Sequence, residues 1–276
     1  MQQRPSTGEK YPMKLVRQGK ISYKQPSWAD RFNLAAGFTT RNGGVSRPPY
    51  NSLNLAFNTD DASSNVEGNR STLTRAFGLP VHLLLTVKQV HDTNVLVIDE
   101  PNPDLTHFLS VECDAVVTDQ PGIMIGVLVA DCYPVILFDP EKKVYAVVHV
   151  GWRGAAEGIL DKAVRTMEKN FGVKIENLYA AIGPGIGAHK YEVDRPVREA
   201  FRSGTDHWQR IAKERSLGKW LLDLRLSCQL QLRDTGLDPA RIEAVEECTC
   251  CHKELFFSYR RDSGSTGRQM GFVLTA

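Results

Sequence analysis

The sequence predicts an α+β fold, a single domain of mixed β-sheets covered by helices. Three observations predict it. The middle of the chain is a succession of short runs rich in Val, Ile and Leu, broken by turn residues such as Asp139-Pro140, as strands are. Helical apolar spacing occurs on both sides of that run, yet few strands lead directly into a helix, so a regular βαβ repeat does not fit. No Pro/Ser-rich linker or internal repeat divides the chain, so one domain over residues 21–276 is expected behind a flexible N-terminal tail over 1–20.

Taken in order, Asn33 to Arg41 reads as a short strand entering the Gly-rich turn Arg41-Asn42-Gly43-Gly44. Ser64-Asn65-Val66-Glu67 has the form of a capping box, opening a helix that ends at Gly78 before Pro80. Strands are then expected at Leu83–Val87, Val95–Ile98, Ala115–Thr118, Ile123–Val129, Pro134–Phe138 and Val144–Val148. A helix fits Gly154 to Phe171, with Ala156, Ile159, Leu160, Ala163, Val164 and Met167 on one face and Gly172 as its stop. Leu178–Ile182 reads as a strand running into Gly183-Pro184-Gly185-Ile186-Gly187. Helices follow around Asp194–Arg202 and Leu224–Thr235, and Gln269–Leu274 is a closing strand.

Composition narrows the function classes. The 276 residues carry 34 basic and 32 acidic side chains, a formal charge of +2, with 42% hydrophobic and 24% charged residues. That balance excludes wholesale disorder and argues against a protein held to nucleic acid by phosphate neutralisation. The first twenty residues are polar and basic with no apolar segment, so no secretory signal is expected. Ile123 to Phe138, the most apolar stretch, is interrupted by Asp131 and too short to span a bilayer. The six cysteines are therefore expected to be reduced, and the location cytoplasmic.

His91, Cys132 and His149 stand at the ends of expected strands, each beside a Gly, Asp or Pro that bends the chain. Such ends are where a rigid sheet fixes side chains in space. Two imidazoles and one thiolate suit one Zn²⁺ ion and leave a fourth tetrahedral position open, the catalytic rather than the structural pattern. Zinc there would lower the pKa of a bound water toward roughly 7. The plain alternative is a small core cysteine and two locally hydrogen-bonded histidines, because the spacing matches no compact zinc-finger template.

The same segments carry a family resemblance. Thr39-Thr40-Arg41-Asn42-Gly43-Gly44-Val45-Ser46 and Tyr50-Asn51-Ser52-Leu53-Asn54-Leu55 come first, then Asn69-Arg70, Gln89-Val90-His91 and Ala130-Asp131-Cys132. His149-Val150-Gly151-Trp152-Arg153-Gly154, Ile182-Gly183-Pro184, Phe256-Phe257-Ser258-Tyr259-Arg260-Arg261-Asp262 and Thr266-Gly267-Arg268 complete the set. With these motifs in this order the chain resembles the YfiH, or laccase-domain, family, once called multicopper polyphenol oxidases and now regarded as purine nucleoside phosphorylases. The resemblance implies a zinc site formed by His91, Cys132 and His149. It also implies phosphorolysis of adenosine, inosine, guanosine and methylthioadenosine, with adenosine deamination as a second activity.

Phosphorolysis needs an anion site, stabilisation of positive charge on the sugar and a proton for the departing base. Arg41 and Arg153 are the candidates for phosphate, with a salt bridge or carbonyl clamp as the structural alternative. Asp131 is a candidate general acid/base, or else orients a ligating imidazole, and Asp114 is a weaker candidate for either role. Cys132 and His149 double as catalytic candidates, Asp114 is counted with the substrate-binding residues, and Trp152 could stack on a purine or belong to the core.

Two positions depart from the family pattern: Asp92 replaces a usual Gly after the first ligand histidine, and Ala188-His189-Lys190 replaces a Pro-Cys-Cys stretch. His189 would then stand in for a pocket cysteine. Cys248 and Cys251 have CxxC spacing beside Cys250 and His252, but no second CxxC completes four ligands, so this cluster is left outside the metal site. Three other readings compete. Copper-based polyphenol oxidation needs many imidazoles, and the seven histidines here are mostly scattered. A metal-free Cys132–His149 hydrolase and a non-catalytic envelope-maintenance protein are the other two.

Overall fold

The continuous apolar runs become strands buried on both faces, which is why they read without alternation. The computed structural model describes residues 13–275. A first sheet has the order β1 (Lys14–Gln18), β2 (Ile21–Gln25), β3 (Ala35–Thr39), β15 (Gln269–Leu274), β7 (Met124–Val129), β4 (Leu84–Thr86). Its pairs are antiparallel except β4 with β7. A second sheet has the order β14 (Ile242–Ala244), β10 (Tyr179–Ile182), β8 (Tyr133–Asp139), β9 (Val144–Val150), β6 (Ala115–Thr118), β5 (Val95–Ile98). Its outer pairs β10–β14 and β5–β6 are parallel and the inner ones antiparallel. A small antiparallel sheet joins β11 (Glu192–Val193), β13 (Lys219–Leu222) and β12 (Ala212–Ser216).

The two large sheets pack face to face. Phe38, Ile125, Val127 and Val273 of the first meet Val116, Ile136, Tyr145, Val147 and Ala181 of the second in one buried layer. Behind the second sheet, Val117, Val135, Ala146 and Val148 are covered by helices α4 (Ile159–Phe171) and α7 (Leu224–Asp234), with α3 (Trp152–Ala156), α5 (Arg195–Gly204) and α6 (Trp208–Ile211) alongside. Behind the first, Tyr23, Met124, Met270 and Phe272 pack on Leu73 of α2 (Ser63–Ala76). A short α1 (Ser27–Arg31) links β2 to β3 and buries Trp28 and Ala29. The mixed sheets covered by helices are those the sequence predicts.

Local departures have local causes. Residues 14–18, within the expected tail, form β1, an edge strand whose mostly exposed side chains give no apolar signal; residues 1–12 lie outside the described residues. The helix expected from Gly154 to Phe171 is two helices, because Gly158 at φ 78 turns the chain between α3 and α4. The Ser64–Glu67 capping box does not form: α2 begins at Ser63 behind Ala62, with no side-chain cap. Asp61 instead accepts a hydrogen bond from Asn65 at 2.9 Å.

Motif residues of the first half prove to be structural pins. Asn69 accepts from the Val45 amide and donates to Ser46 Oγ and to the Asn54 carbonyl, each at 2.8 Å. Arg70 donates to the Leu55 carbonyl at 2.9 Å and to Thr86 Oγ1 at 3.0 Å. Together they bind the Gly-rich loop to α2 and β4. No helix among the described residues is long and apolar enough to cross a membrane.

Candidate metal centre

Strand register brings the distant residues together. In the β8–β9 pair Pro134 faces His149 and Tyr133 faces Val150, so Cys132, just before β8, lies beside the end of β9. In the β6–β9 pair Ala115 faces Val148, which sets Asp114 beside His149. Val95 faces Ala115 in the parallel β5–β6 pair, and the loop leading into β5 carries His91. Four strand ends thus meet on one side of the second sheet.

The donor atoms of His91, Cys132 and His149 all lie within 4.8 Å of one another. Cys132 Sγ is 3.9 Å from His91 Nε2, and the two imidazole rings stand at 89° with centroids 4.7 Å apart. His149 is buried, Cys132 half-buried and His91 exposed, so the cluster opens to solvent on the His91 side. His149 Nδ1 is 2.6 Å from Asp114 Oδ1. That bond fixes Nδ1–H as the donor and leaves the Nε2 lone pair for a metal.

Asp114 is the hub. Its carboxylate accepts the backbone N–H groups of Val90, His91 and Asp92 at 3.1, 3.0 and 2.9 Å, besides the imidazole. Three converging amides and an imidazole outweigh burial and hold its carboxyl below the usual carboxylate range. One side chain therefore fixes both the first histidine's loop and the last histidine's tautomer.

Backbone shape completes the cradle. His91 at φ 63 and Asp131 at φ 95 both occupy the left-handed region that favours glycine, strain of the kind that collects at functional sites. Gly151 lies against the cluster: a Cβ there would stand 2.9 Å from His91 Cδ2, 3.4 Å from Cys132 Sγ and 3.7 Å from His149 Cε1. Burial pushes the Cys132 thiol up, but the facing His149 and His91 imidazoles outweigh it and bring it down to about 6. Burial likewise disfavours His149 charge, and the thiolate with Asp114 outweighs it, raising this imidazole to about 9. A soft anion, a second imidazole, and a His149 Nε2 that would give up its proton to a metal while Nδ1–H stays on Asp114 fit one tetrahedral zinc ion.

The other expected residues divide. Asp131 does not face a ligating imidazole: its oxygens accept from Thr249 Oγ1 at 2.6 Å and from the Arg260 amide at 2.7 Å, fixing a loop. Asp114 is fully buried with its carboxylate satisfied, so it cannot touch substrate; it has the imidazole-orienting role considered first for Asp131. Arg41 forms the carbonyl clamp, donating to Asn51 O at 2.7 Å, Lys253 O at 3.1 Å and Asn51 Oδ1 at 3.2 Å. Arg153 is exposed, and its guanidinium stacks 4.3 Å from the Trp152 ring centroid and forms no hydrogen bond or ion pair among the described residues. Trp152 is half-buried against the helical core. Asp92 closes its own turn, accepting from the Thr93 amide at 2.6 Å and Asn94 Nδ2 at 3.0 Å.

Two arginines not singled out for anion binding lie near the site but hold carbonyls: Arg260 donates to Lys190 O and Glu192 O at 3.3 Å, and Arg268 to Thr266 O and Gly267 O at 2.8 and 3.0 Å. Tyr191, whose hydroxyl burial pushes well up, has Cys132, Arg260, Asp131 and Arg153 as charged neighbours. Arg268 is lowered by burial, with Cys132, Tyr259 and Asp131 opposing. Both Arg260 and Arg268 lie within motifs, but nothing in their spacing points to Cys132.

Residues 35–276 match the family described as multi-copper polyphenol oxidoreductase laccase. The chain belongs to that family. It is 33% identical over 243 residues to purine nucleoside phosphorylase YlmD of Geobacillus stearothermophilus, spanning 86% of this chain and 89% of that protein. It is 37% identical over 249 residues to purine nucleoside phosphorylase YfiH of Shigella flexneri, spanning 90% and 96%. The crystal structure of Bacillus licheniformis hypothetical protein YfiH matches with a TM-score of 0.88 at 29% identity, covering 96% of this chain and 99% of that one. This family member shares its fold with YlmD of G. stearothermophilus as well, at a TM-score of 0.87 and 30% identity.

Proposed function

We propose that this family member is a zinc-dependent purine nucleoside phosphorylase with adenosine deaminase activity. Its substrates are adenosine, inosine, guanosine and methylthioadenosine. The observation that carries the reading is the convergence of His91, Cys132 and His149 around Gly151, with Asp114 fixing the His149 tautomer. The names of its relatives supply the reaction class. Zinc held by His91, Cys132 and His149 would supply Lewis acidity and hydroxide chemistry near neutral pH, which deamination at the purine C6 requires.

The chain's own residues serve phosphorolysis as follows. Phosphate oxygen forms a bond to the ribose anomeric carbon as the bond from that carbon to the purine nitrogen breaks. The base leaves with the bond's electron pair and takes up the proton that HPO₄²⁻ gives up on becoming the sugar phosphate ester. Arg153, with a free guanidinium fork braced on Trp152, binds the phosphate dianion. Arg260, whose guanidinium lies 5.3 Å from the Tyr191 ring centroid, adds positive potential on the same side. The donor count argues against multicopper chemistry: among the described residues only His91 and His149 join an imidazole pair in a metal-ligating cluster.

One observation favours a second reading. Cys132, His149 and Asp114 form a thiol–imidazole–carboxylate series with a lowered thiol, the arrangement of a metal-free cysteine hydrolase. The deciding experiment incubates zinc-loaded protein with adenosine, with and without phosphate, and identifies products by mass. Adenine plus ribose 1-phosphate, formed only with phosphate and lost on chelation, is expected. Inosine alone reduces the protein to a deaminase. Turnover that survives chelation but not alkylation of Cys132 supports the hydrolase.

A further inference from the structure

The CxxC cysteines Cys248 and Cys251 meet a third donor from a segment distant in sequence. His189, in the turn after the Gly183–Gly187 segment, brings an imidazole to Cys248 and Cys251, and the three donor atoms lie within 4.8 Å of one another. His189 Nε2 is 3.2 Å from Cys251 Sγ. His252, the neighbour in sequence, is turned away: its Nδ1 is 3.1 Å from the Cys248 carbonyl. We propose that His189, Cys248 and Cys251 form a second metal site, for a thiophilic divalent ion of the zinc type, distinct from the His91–Cys132–His149 centre. The proposal does not depend on the phosphorylase reading.

Four features of the chain support it. The Cys248 carbonyl accepts the amides of Cys251 and His252 at 3.1 and 3.0 Å, a tight turn that sets both thiols of the CxxC on one side. Cys248 Sγ accepts the Gly187 N–H at 3.1 Å, a bond that orients the sulfur toward the 185–190 turn. Gly187 has no side chain where one would block the cluster: a Cβ would stand 2.9 Å from His189 Cε1, 3.1 Å from its Nδ1 and 3.2 Å from Cys248 Cβ. Two thiolates and one imidazole are a zinc-selecting donor set, and the exposure of His189 and Cys251 leaves the fourth position to solvent.

Such an ion has a structural consequence. Thr249, between the two cysteines, donates its hydroxyl to Asp131 at 2.6 Å and its amide to the Gly185 carbonyl at 3.0 Å. Arg261 donates to the Thr249 carbonyl at 2.8 Å. Metal at 248, 251 and 189 therefore ties this loop to the 185–190 turn and braces the residue next to Cys132.

The test uses the full chain, reduced, stripped with chelator, reloaded with zinc and freed of excess. About two zinc ions per chain are expected, falling to about one in Cys251→Ser and in His189→Ala, with His91→Ala removing the other. Both second-site substitutions are at exposed positions, and a native circular-dichroism spectrum checks folding. A second measurement needs no variant: iodoacetamide labelling of Cys251, followed by peptide mapping, is expected to slow roughly tenfold when zinc is present, independently of Cys132. One zinc per chain in wild type, unchanged by Cys251→Ser, overturns the proposal. So does labelling of Cys251 at the same rate with and without zinc, or a Cys248–Cys251 disulfide in the freshly isolated protein.

Discussion

The two thiol–imidazole clusters use similar atoms on different supports. His149 near the end of β9 and Cys132 just before β8 are set by paired strands, His91 lies in the loop leading into β5, and a buried carboxylate orders two of the three. His189, Cys248 and Cys251 sit on two loops, held by backbone N–H groups and turn geometry, with no carboxylate behind the imidazole among the described residues. The contrast separates a centre built for precision from one built to fasten. An imidazole with a fixed tautomer keeps its metal in a set orientation, whereas one oriented only by its thiol neighbour offers a ligand without directing it.

The largest test of that contrast removes a ligand from the first centre. Cys132→Ser and His149→Ala are expected to abolish both phosphorolysis and deamination and to lose one zinc, measured by turnover and metal content. Next comes Asp114→Asn, which keeps the shape but alters what the imidazole and three amides meet. Zinc affinity or turnover should fall by roughly 10–100-fold, read by metal competition. Asp114→Ala is a poorer probe, because unpairing this buried hub costs about 3–5 kcal/mol of stability. If Asp114→Asn leaves affinity unchanged, the distinction between the two supports fails.

Two glycine substitutions sharpen the comparison further. Gly151→Ala puts a methyl against all three residues of a cluster fixed by strand register, so zinc binding there should weaken by roughly tenfold or more. Gly187→Ala intrudes on a loop cluster that can yield, and a smaller loss is expected. Isothermal titration of each variant gives the order. The remaining two substitutions concern arginines. Arg153→Ala should raise the phosphate concentration needed for half-maximal rate while sparing deamination; equal loss of both activities contradicts a phosphate-specific role. Arg41→Ala should instead lower stability by about 2–3 kcal/mol through its carbonyl clamp, seen by denaturant unfolding.

What the sequence discloses follows from which interactions are local. Val95–Ile98, Ala115–Thr118 and Gln269–Leu274 are read with their observed bounds, because turn residues flank short, mainly apolar runs. β1 and β12 are missed, since edge strands with exposed side chains carry no apolar period; the central β13 is missed because its apolar run, Trp220 to Leu222, is only three residues long. The His91, Cys132 and His149 set is legible from residue type and from family motifs. The division of labour between Asp131 and Asp114 is not, because it depends on which residue faces His149 across β6 and β9. The same holds for His189, which reaches Cys251 across sixty-two positions.

β15, the last strand in chain order, lies in the interior of the first sheet, with β3 on one side and β7 on the other. During synthesis β3 and β7 must therefore wait, their inner edges unsatisfied, until residues 269–274 clear the ribosome. The second sheet draws on no strand later than β14 and is free to assemble sooner. The Cys248–Cys251 loop lies in the chain between β14, the last strand of the second sheet, and β15, the strand that joins the two halves of the first.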